Sequence, residues 1–317
     1  MSTGAPGHHV GYFHQAAIYG SDDERHDIVA DLVAGAMDAG EPVLAALAPE
    51  EAWVRSAVGA ASNVTLLPPL TPSSRPAATI KRLTDLLEPL ATQGYERVRV
   101  VQAVPHPGMG SPWEGWCRYE AAINDLLADH PLWGLCLYDR RTMSTEVLSD
   151  VERTHPHLLT VDGGRPNGRY VEPVAFLESR NLSHPDPLER SPAALELIDP
   201  VPAHSRQAVR DRARDTHLGA DDVDRLVLAT SEAVTNATIH GQPPVVLRIW
   251  TAPRRMVVTI SDRGTGPADP YVGLIPQRPN GDGGGLGLWI VHQLVNVTFG
   301  RTDEGFTLRL TADPRGD

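Results

Sequence analysis

The chain has 317 residues, a formal charge of −12 at neutral pH and a hydrophobic fraction of 41%. That length suits two domains, and the apolar content supports packed cores rather than disorder. The acidic balance argues against nucleic acid or an anionic membrane surface as a direct partner, and no apolar run approaches the roughly 20 residues that span a bilayer.

The N-terminus, MSTGAPGHHV, lacks the basic-then-apolar pattern of a secretory signal. Cys117 and Cys136 have no metal-site or redox-motif spacing and read as buried packing residues. A reducing cytoplasm is the expected location. His8, His9 and His14 read as flexible N-terminal histidines, because no further ligand spacing supports a metal. In Glu152-Arg-Thr-His-Pro-His157, Pro156 makes a turn the first reading.

From Gly11 to about Asp139 short apolar runs alternate with helical patterns. Strands are expected at Pro42–Leu47, Val64–Leu67, Val98–Val104 and Trp133–Tyr138, with helices near 22–39, 49–59, 75–92 and 112–129. Ser21 can cap the first helix, Asp22, Asp23 and Glu24 favour its first turn, and Gly40 ends it. This alternation predicts a mostly parallel α/β sheet with helices on both faces. It carries no G-x-x-x-x-G-K-[ST] phosphate loop and no G-x-G-x-x-G after the first strand.

Residues 179–193 are Pro-rich and charged and read as a linker. Ala194–Ile198 alternates as a first strand of the next domain. A helix from Ser205 to His217 would carry Arg206, Arg210 and Arg214 on one face. That face is either solvated or a docking surface for an acidic partner protein.

Asp221 or Asp222 can cap the next helix and Gly241 ends it, with Val223, Leu226, Val227, Thr230, Val234 and Ala237 as its core stripe. Glu232, Asn236 and His240 recur every four residues on the flank. Two strands follow, 245–250 and 256–261, and Asp262 falls in phase with the inward residues Met256, Val258 and Ile260. A buried carboxylate needs donors, and an adenine amino group can supply one. Gly264 and Gly266 leave room for a flat base. Gly283, Gly284, Gly285 and Gly287 lead into an apolar helix expected over Leu286–Phe299, a ready anion site. The Pro270–Asp282 stretch before it reads as a mobile lid rather than the strand a dinucleotide fold requires. Phe306–Leu310 alternates and completes a sheet.

Two resemblances follow from these residues. WCRYEAAINDLLADHPLWGLCLYDRR (116–141), THPHLL (154–159) and NGRYVEP (167–173) resemble the MEDS sensory domain over residues 8–178, which implies a RecA-like α/β sheet without a P-loop and a sensing role. E-x-x-x-N on a helix, then D-x-G-x-G, then G-x-G-L resembles the Bergerat (HATPase) fold of the GHKL ATPases over 194–312, a two-layer α/β sandwich. SEAVTNATIHG is similar to the anti-sigma-factor serine kinases of the SpoIIAB and RsbW type, and the domain order is similar to the actinobacterial RsbA family.

The resemblance implies Asn236 on Mg²⁺ and the ATP phosphates, Asp262 on the adenine amino group with Gly264 and Gly266 beside it, and Gly283, Gly285, Leu286 and Gly287 in the lid hinge and phosphate cradle. Thr307 would stand at the adenine edge and Glu232 would be the general base. Sigma factor and STAS-type anti-sigma-antagonist are the implied partners, and a homodimer the implied assembly. Pro267, where these proteins carry an aliphatic residue, and Arg278, the lid's only basic residue, depart from the pattern. Two other readings stay open: a nucleotide-gated anti-sigma or sensor protein without phosphotransfer, and a sensor histidine kinase. The latter needs a phosphoacceptor histidine on a long hairpin, and the short 205–217 helix has only His217, at its end.

Overall fold

The computed structural model describes residues 11–48, 50–59, 61–160, 163–180, 185–275 and 286–313. The chain divides into two compact units, Met1–Ser74 with Arg82–Leu177, and Arg75–Lys81 with Glu178–Asp317.

In chain order the N-terminal elements are β1 (Phe13–Tyr19), α1 (Asp22–Ala39), β2 (Val43–Ala46), α2 (Ala52–Val58), β3 (Val64–Leu67), α3 (Pro76–Thr92), β4 (Val98–Ala103), α4 (Trp113–Leu126), β5 (Leu132–Asp139), α5 (Thr145–Thr154), β6 (His157–Thr160), β7 (Gly163–Pro166) and α6 (Pro173–Ser179). The sheet order is β3-β2-β4-β5-β1-β6-β7, parallel throughout except for the β6–β7 pair. Chain direction across the sheet reverses after β3. Right-handed crossovers therefore place α1 and α2 on one face and α4 and α5 on the other.

Helix α1 matches its expected span. Ser21 Oγ accepts from the Glu24 N–H at 3.1 Å, and Gly40 closes the helix at φ +68°. Its buried stripe of Ile28, Val29, Leu32, Val33 and Ala36 packs with Ala17, Val43, Ala45, Val101 and Leu137 of the sheet.

The central strand β1 was not among the expected strands, because His14 and Gln15 interrupt its apolar run. Both are fully buried. His14 is thus a core residue and not part of a flexible N-terminus, whereas His8 and His9 lie outside the described residues. His157 is not in a turn either, since it opens β6. Strand periodicity sets the sheet's two faces apart. Ala17 and Leu137 face α1, while His14, Gln102 and Cys136 face α4, where Gln102 Nε2 donates to the Tyr119 hydroxyl at 2.9 Å. Cys117 and Cys136 are both buried free thiols, as expected. Burial pushes the Cys136 thiol well up and, with the neighbouring His155, lowers His14 to about 4.

The C-terminal unit runs β8 (Leu195–Ile198), α7 (Pro202–Ala213), α8 (Ala220–His240), β9 (Val246–Ala252), β10 (Arg255–Asp262), α9 (Leu286–Leu294), β11 (Asn296–Thr302) and β12 (Gly305–Ala312). Its antiparallel sheet has the order β11-β12-β10-β9-β8. Leu247, Ile249, Met256, Val258, Ile260, Leu308 and Leu310 point inward against Leu226, Val227, Ala233 and Val234 of α8, giving the two-layer sandwich.

Three expectations are corrected. Helix α9 stops at Leu294 instead of Phe299, because the alternating, β-branched Asn296-Val-Thr-Phe run pairs with β12 as an edge strand. Helix α7 starts three residues earlier than expected, with Pro202 in its first turn, and stops at Ala213. The N-cap of α8 is Gly219; Asp222, inside the first turn, pairs instead with Arg225 at 2.7 Å.

Residues 186–191, expected within the linker, are held on the outer face of this sheet. Asp186 pairs with Arg255, Glu189 Oε2 lies 3.0 Å from Arg309 Nη2, and the Trp250 indole donates to the Ser191 carbonyl at 2.9 Å. No helix among the described residues is long and apolar enough to cross a membrane.

Candidate functional site

A cavity of about 310 Å³ opens between α8 and the ends of β10 and β12. Its walls are mostly apolar, with Ala237, Ile260, Leu288, Phe306 and Leu308 among them, and three polar side chains, Asp262, Asn236 and His240, lie in its lining. That volume and that mix of apolar wall with a few placed polar groups suit a small organic ligand, whose sites run to roughly 300–1,000 Å³.

Asp262 ends β10 and is 9% exposed. Its Oδ1 accepts two backbone N–H groups, from Gln242 at 3.1 Å and Gly264 at 2.6 Å. Oδ2 receives none among the described residues and remains for a donor inside the cavity. The glycines around it serve this carboxylate first. A Cβ on Gly241 would meet Asp262 Cγ at 2.6 Å, and one on Gly264 would meet Oδ1 at 2.6 Å. Gly264 thus makes room for the carboxylate turn and not for the flat base directly. Gly266, in the cavity wall, takes φ +71°, and a side chain there would run into the Phe306 ring.

Asn236 lies on the α8 side, one turn beyond Glu232. Its side-chain amide makes no hydrogen bond among the described residues. The first turn of α9 comes up against this pair. A Cβ on Gly287 would stand 3.1 Å from Glu232 Oε2 and 3.4 Å from Asn236 Nδ2. The partly positive start of a helix therefore faces a carboxylate and a free amide. Leu286 is exposed beside it, and exposed His240 lines the outer part of the cavity. Gly283, Gly285 and Arg278 lie outside the described residues, as does most of the expected lid. Its described start is packed: Tyr271 and Leu274 are buried, and the Leu274 N–H donates to the Tyr271 carbonyl at 3.0 Å.

Thr307 is not brought to the cavity. Phe306 and Leu308 face inward, so the strand's period of two turns Thr307 outward, where its hydroxyl lies 2.9 Å from Ser261 Oγ. Of the basic face at α7 only Arg206 is tied back into the fold, while Arg210 and Arg214 are exposed. Arg206 donates to Ser231 Oγ at 2.8 Å and Arg210 lies 3.9 Å from Asp224, both on α8. Arg214, 78% exposed, reaches only Asp211 of its own helix, at 3.5 Å.

Residues 198–312 match the sequence model of the family described as the histidine kinase-like ATPase domain. The C-terminal unit has the fold of this GHKL type of domain. Residues 13–156 match MEDS, the methanogen/methylotroph, DcmR sensory domain. Among solved structures the chain is similar to a mycobacterial sensor histidine kinase, MprB, with 23% identity, 39% of this chain and 99% of that chain covered, and a TM-score of 0.26. The RsbU and RsbW domains of Rv1364c from Mycobacterium tuberculosis align at 19% identity, 39% and 34% coverage and a TM-score of 0.27. The histidine kinase domain of the E. coli osmosensor EnvZ aligns at 20% identity, 40% and 92% coverage and 0.24. No curated protein matches the chain significantly.

The cavity fits the nucleotide this domain type implies. The unused Asp262 Oδ2 suits an amino donor, and the free Asn236 amide beside Gly287 suits a metal-bound phosphate.

Proposed function

We propose that this protein is an ATP-dependent regulator of a partner-switching pathway, in which the C-terminal unit sequesters a sigma factor and phosphorylates a serine of a STAS-type antagonist protein. The observation that carries the reading is the pair of unmatched polar groups in one apolar cavity, Asp262 Oδ2 and the Asn236 amide, with Glu232 one turn from Asn236.

In this reading Asp262 fixes the adenine through its exocyclic amino group, and apolar walls such as Ile260 and Leu308 exclude water from the base. Asn236 holds the metal and phosphates at the start of α9, with Leu286 and Gly287 supplying backbone there. Mg²⁺, when bound, offsets triphosphate charge that an acidic chain repels. Glu232 takes the proton from the attacking serine hydroxyl, a poor nucleophile while protonated. Gly283 and Gly285 complete the cradle, and the exposed Arg210 and Arg214 are the part of the basic face at α7 left for an acidic partner. The pathway implies a cytoplasmic protein, and a homodimer accords with related kinase domains.

The test is incubation of the full chain with Mg-ATP and a candidate antagonist, reading phosphoserine by mass spectrometry. Transfer that disappears in Glu232→Gln supports the reading. ATP binding without any phosphoserine product replaces it with a nucleotide-gated binding protein.

A further inference from the structure

The polar face of the N-terminal sheet gathers four side chains whose chemistry the ATP site does not use. His14 on β1, Glu120 on α4, Cys136 on β5 and His155 between α5 and β6 place His Nε2, carboxylate O and Sγ atoms all within 4.8 Å of one another. All four are buried, the two histidines and the glutamate completely. Neighbouring strands put His14 and Cys136 on one face, because Cys136 pairs with Ala16, two residues along from His14.

The hydrogen bonds around the cluster fix which ring nitrogens point into it. Asn124 Nδ2 donates to the Glu120 and Thr154 carbonyls, both at 2.9 Å, so its Oδ1 is the acceptor facing His14 Nδ1 at 3.0 Å. His14 therefore carries its hydrogen on Nδ1. His155 Nδ1 lies 2.8 Å from the Val151 carbonyl, which only accepts, so it too carries the hydrogen there. Each ring therefore turns its Nε2 to Glu120 Oε2, at 3.1 and 3.2 Å, and in the neutral form presents a lone pair there. Two lone pairs and a carboxylate oxygen meet in a dry interior, with the Cys136 thiol as the fourth group. Such a set repels itself unless a proton or a metal cation lies at its centre.

Four of the separations, 3.1 to 3.6 Å, lie near those of a four-coordinate metal. Cys136 Sγ stands 3.5 Å from His14 Nε2 and 3.6 Å from Glu120 Oε2. A tetrahedral centre with metal–N/O bonds of about 2.0–2.1 Å and a metal–S bond of about 2.3 Å has ligand–ligand edges of about 3.3–3.6 Å. Outer hydrogen bonds from Nδ1 to a carbonyl and an amide oxygen are those that orient metal-ligating histidines.

We propose that His14, Glu120, Cys136 and His155 form a closed four-ligand site for a divalent transition-metal cation, with zinc the best match to two imidazoles, one carboxylate and one thiolate. The cation ties β1, β5, α4 and the α5–β6 joint together, and Cys136 loses its thiol proton on binding. No open coordination position remains, so the site is structural or sensory rather than hydrolytic.

The experiment uses the full chain purified under reducing conditions, stripped with a chelator and titrated with Co²⁺ and Zn²⁺. One equivalent of Co²⁺ should give four-coordinate d–d bands and a thiolate-to-cobalt charge-transfer band, and one equivalent of Zn²⁺ should abolish both. Cys136→Ala should lose the charge-transfer band. Asn124→Ala, which keeps all four ligands, should weaken metal binding on the order of 10- to 100-fold. A correctly folded wild-type chain that takes up neither metal overturns the proposal without recourse to any variant. So does a charge-transfer band that survives in Cys136→Ala, which would place the metal elsewhere.

Discussion

In the proposed reading Asp262 has two roles, and one substitution separates them. Asp262→Asn keeps an oxygen that can accept from Gln242 and Gly264, but puts an amide N–H₂ where Oδ2 stood, donor against donor for an adenine amino group. ATP affinity measured by calorimetry should fall roughly 10- to 100-fold, in line with hydrogen bonds to charged groups contributing about 1.5–3 kcal/mol, while the melting temperature without nucleotide stays close to wild type. Glu232→Gln should do the reverse. Phosphotransfer drops by about 10²- to 10⁴-fold, the usual contribution of a general base, and ATP affinity changes little. At this scale Asp262 was legible, because strand phase alone aimed it at the core. Thr307 was misplaced for the same kind of reason, since its neighbours Phe306 and Leu308 own the inward phase.

Among elements, legibility followed how local the deciding interaction is. Helix α1 could be read to its ends because Ser21, the acidic first turn and Gly40 act within a few residues. Strand β1 could not, since burial of His14 and Gln15 in a central strand depends on α4 and β5, far away in sequence. The end of α9 was missed because an apolar run suits a helix or a strand equally, and only pairing with β12 decides it. The metal cluster was invisible for the first of these reasons, as its four ligands come from four separate places in the chain. Helix α8 rests on its fully buried Leu226. Leu226→Ala should cost about 2–5 kcal/mol, seen as a lower denaturant midpoint of the C-terminal unit.

For the molecule as a whole, the chain divides into two compact units, and residues 186–191 belong to the second rather than forming a free tether. A C-terminal fragment beginning at Asp186 should therefore melt several degrees above one beginning at Ala194, which lacks Asp186, Glu189 and Ser191, the partners of Arg255, Arg309 and Trp250 on that segment. Equal melting temperatures would mean that those contacts contribute nothing. Strand β12 lies between these two environments. Its even-numbered residues Phe306 and Leu308 wall the cavity, and its odd-numbered Arg309 grips the segment that leads back to the N-terminal unit. Neither parity of that strand is free to drift under mutation, and a shift of one residue in its register would exchange the two surfaces, sealing the nucleotide cavity with an arginine and releasing the tether in the same event.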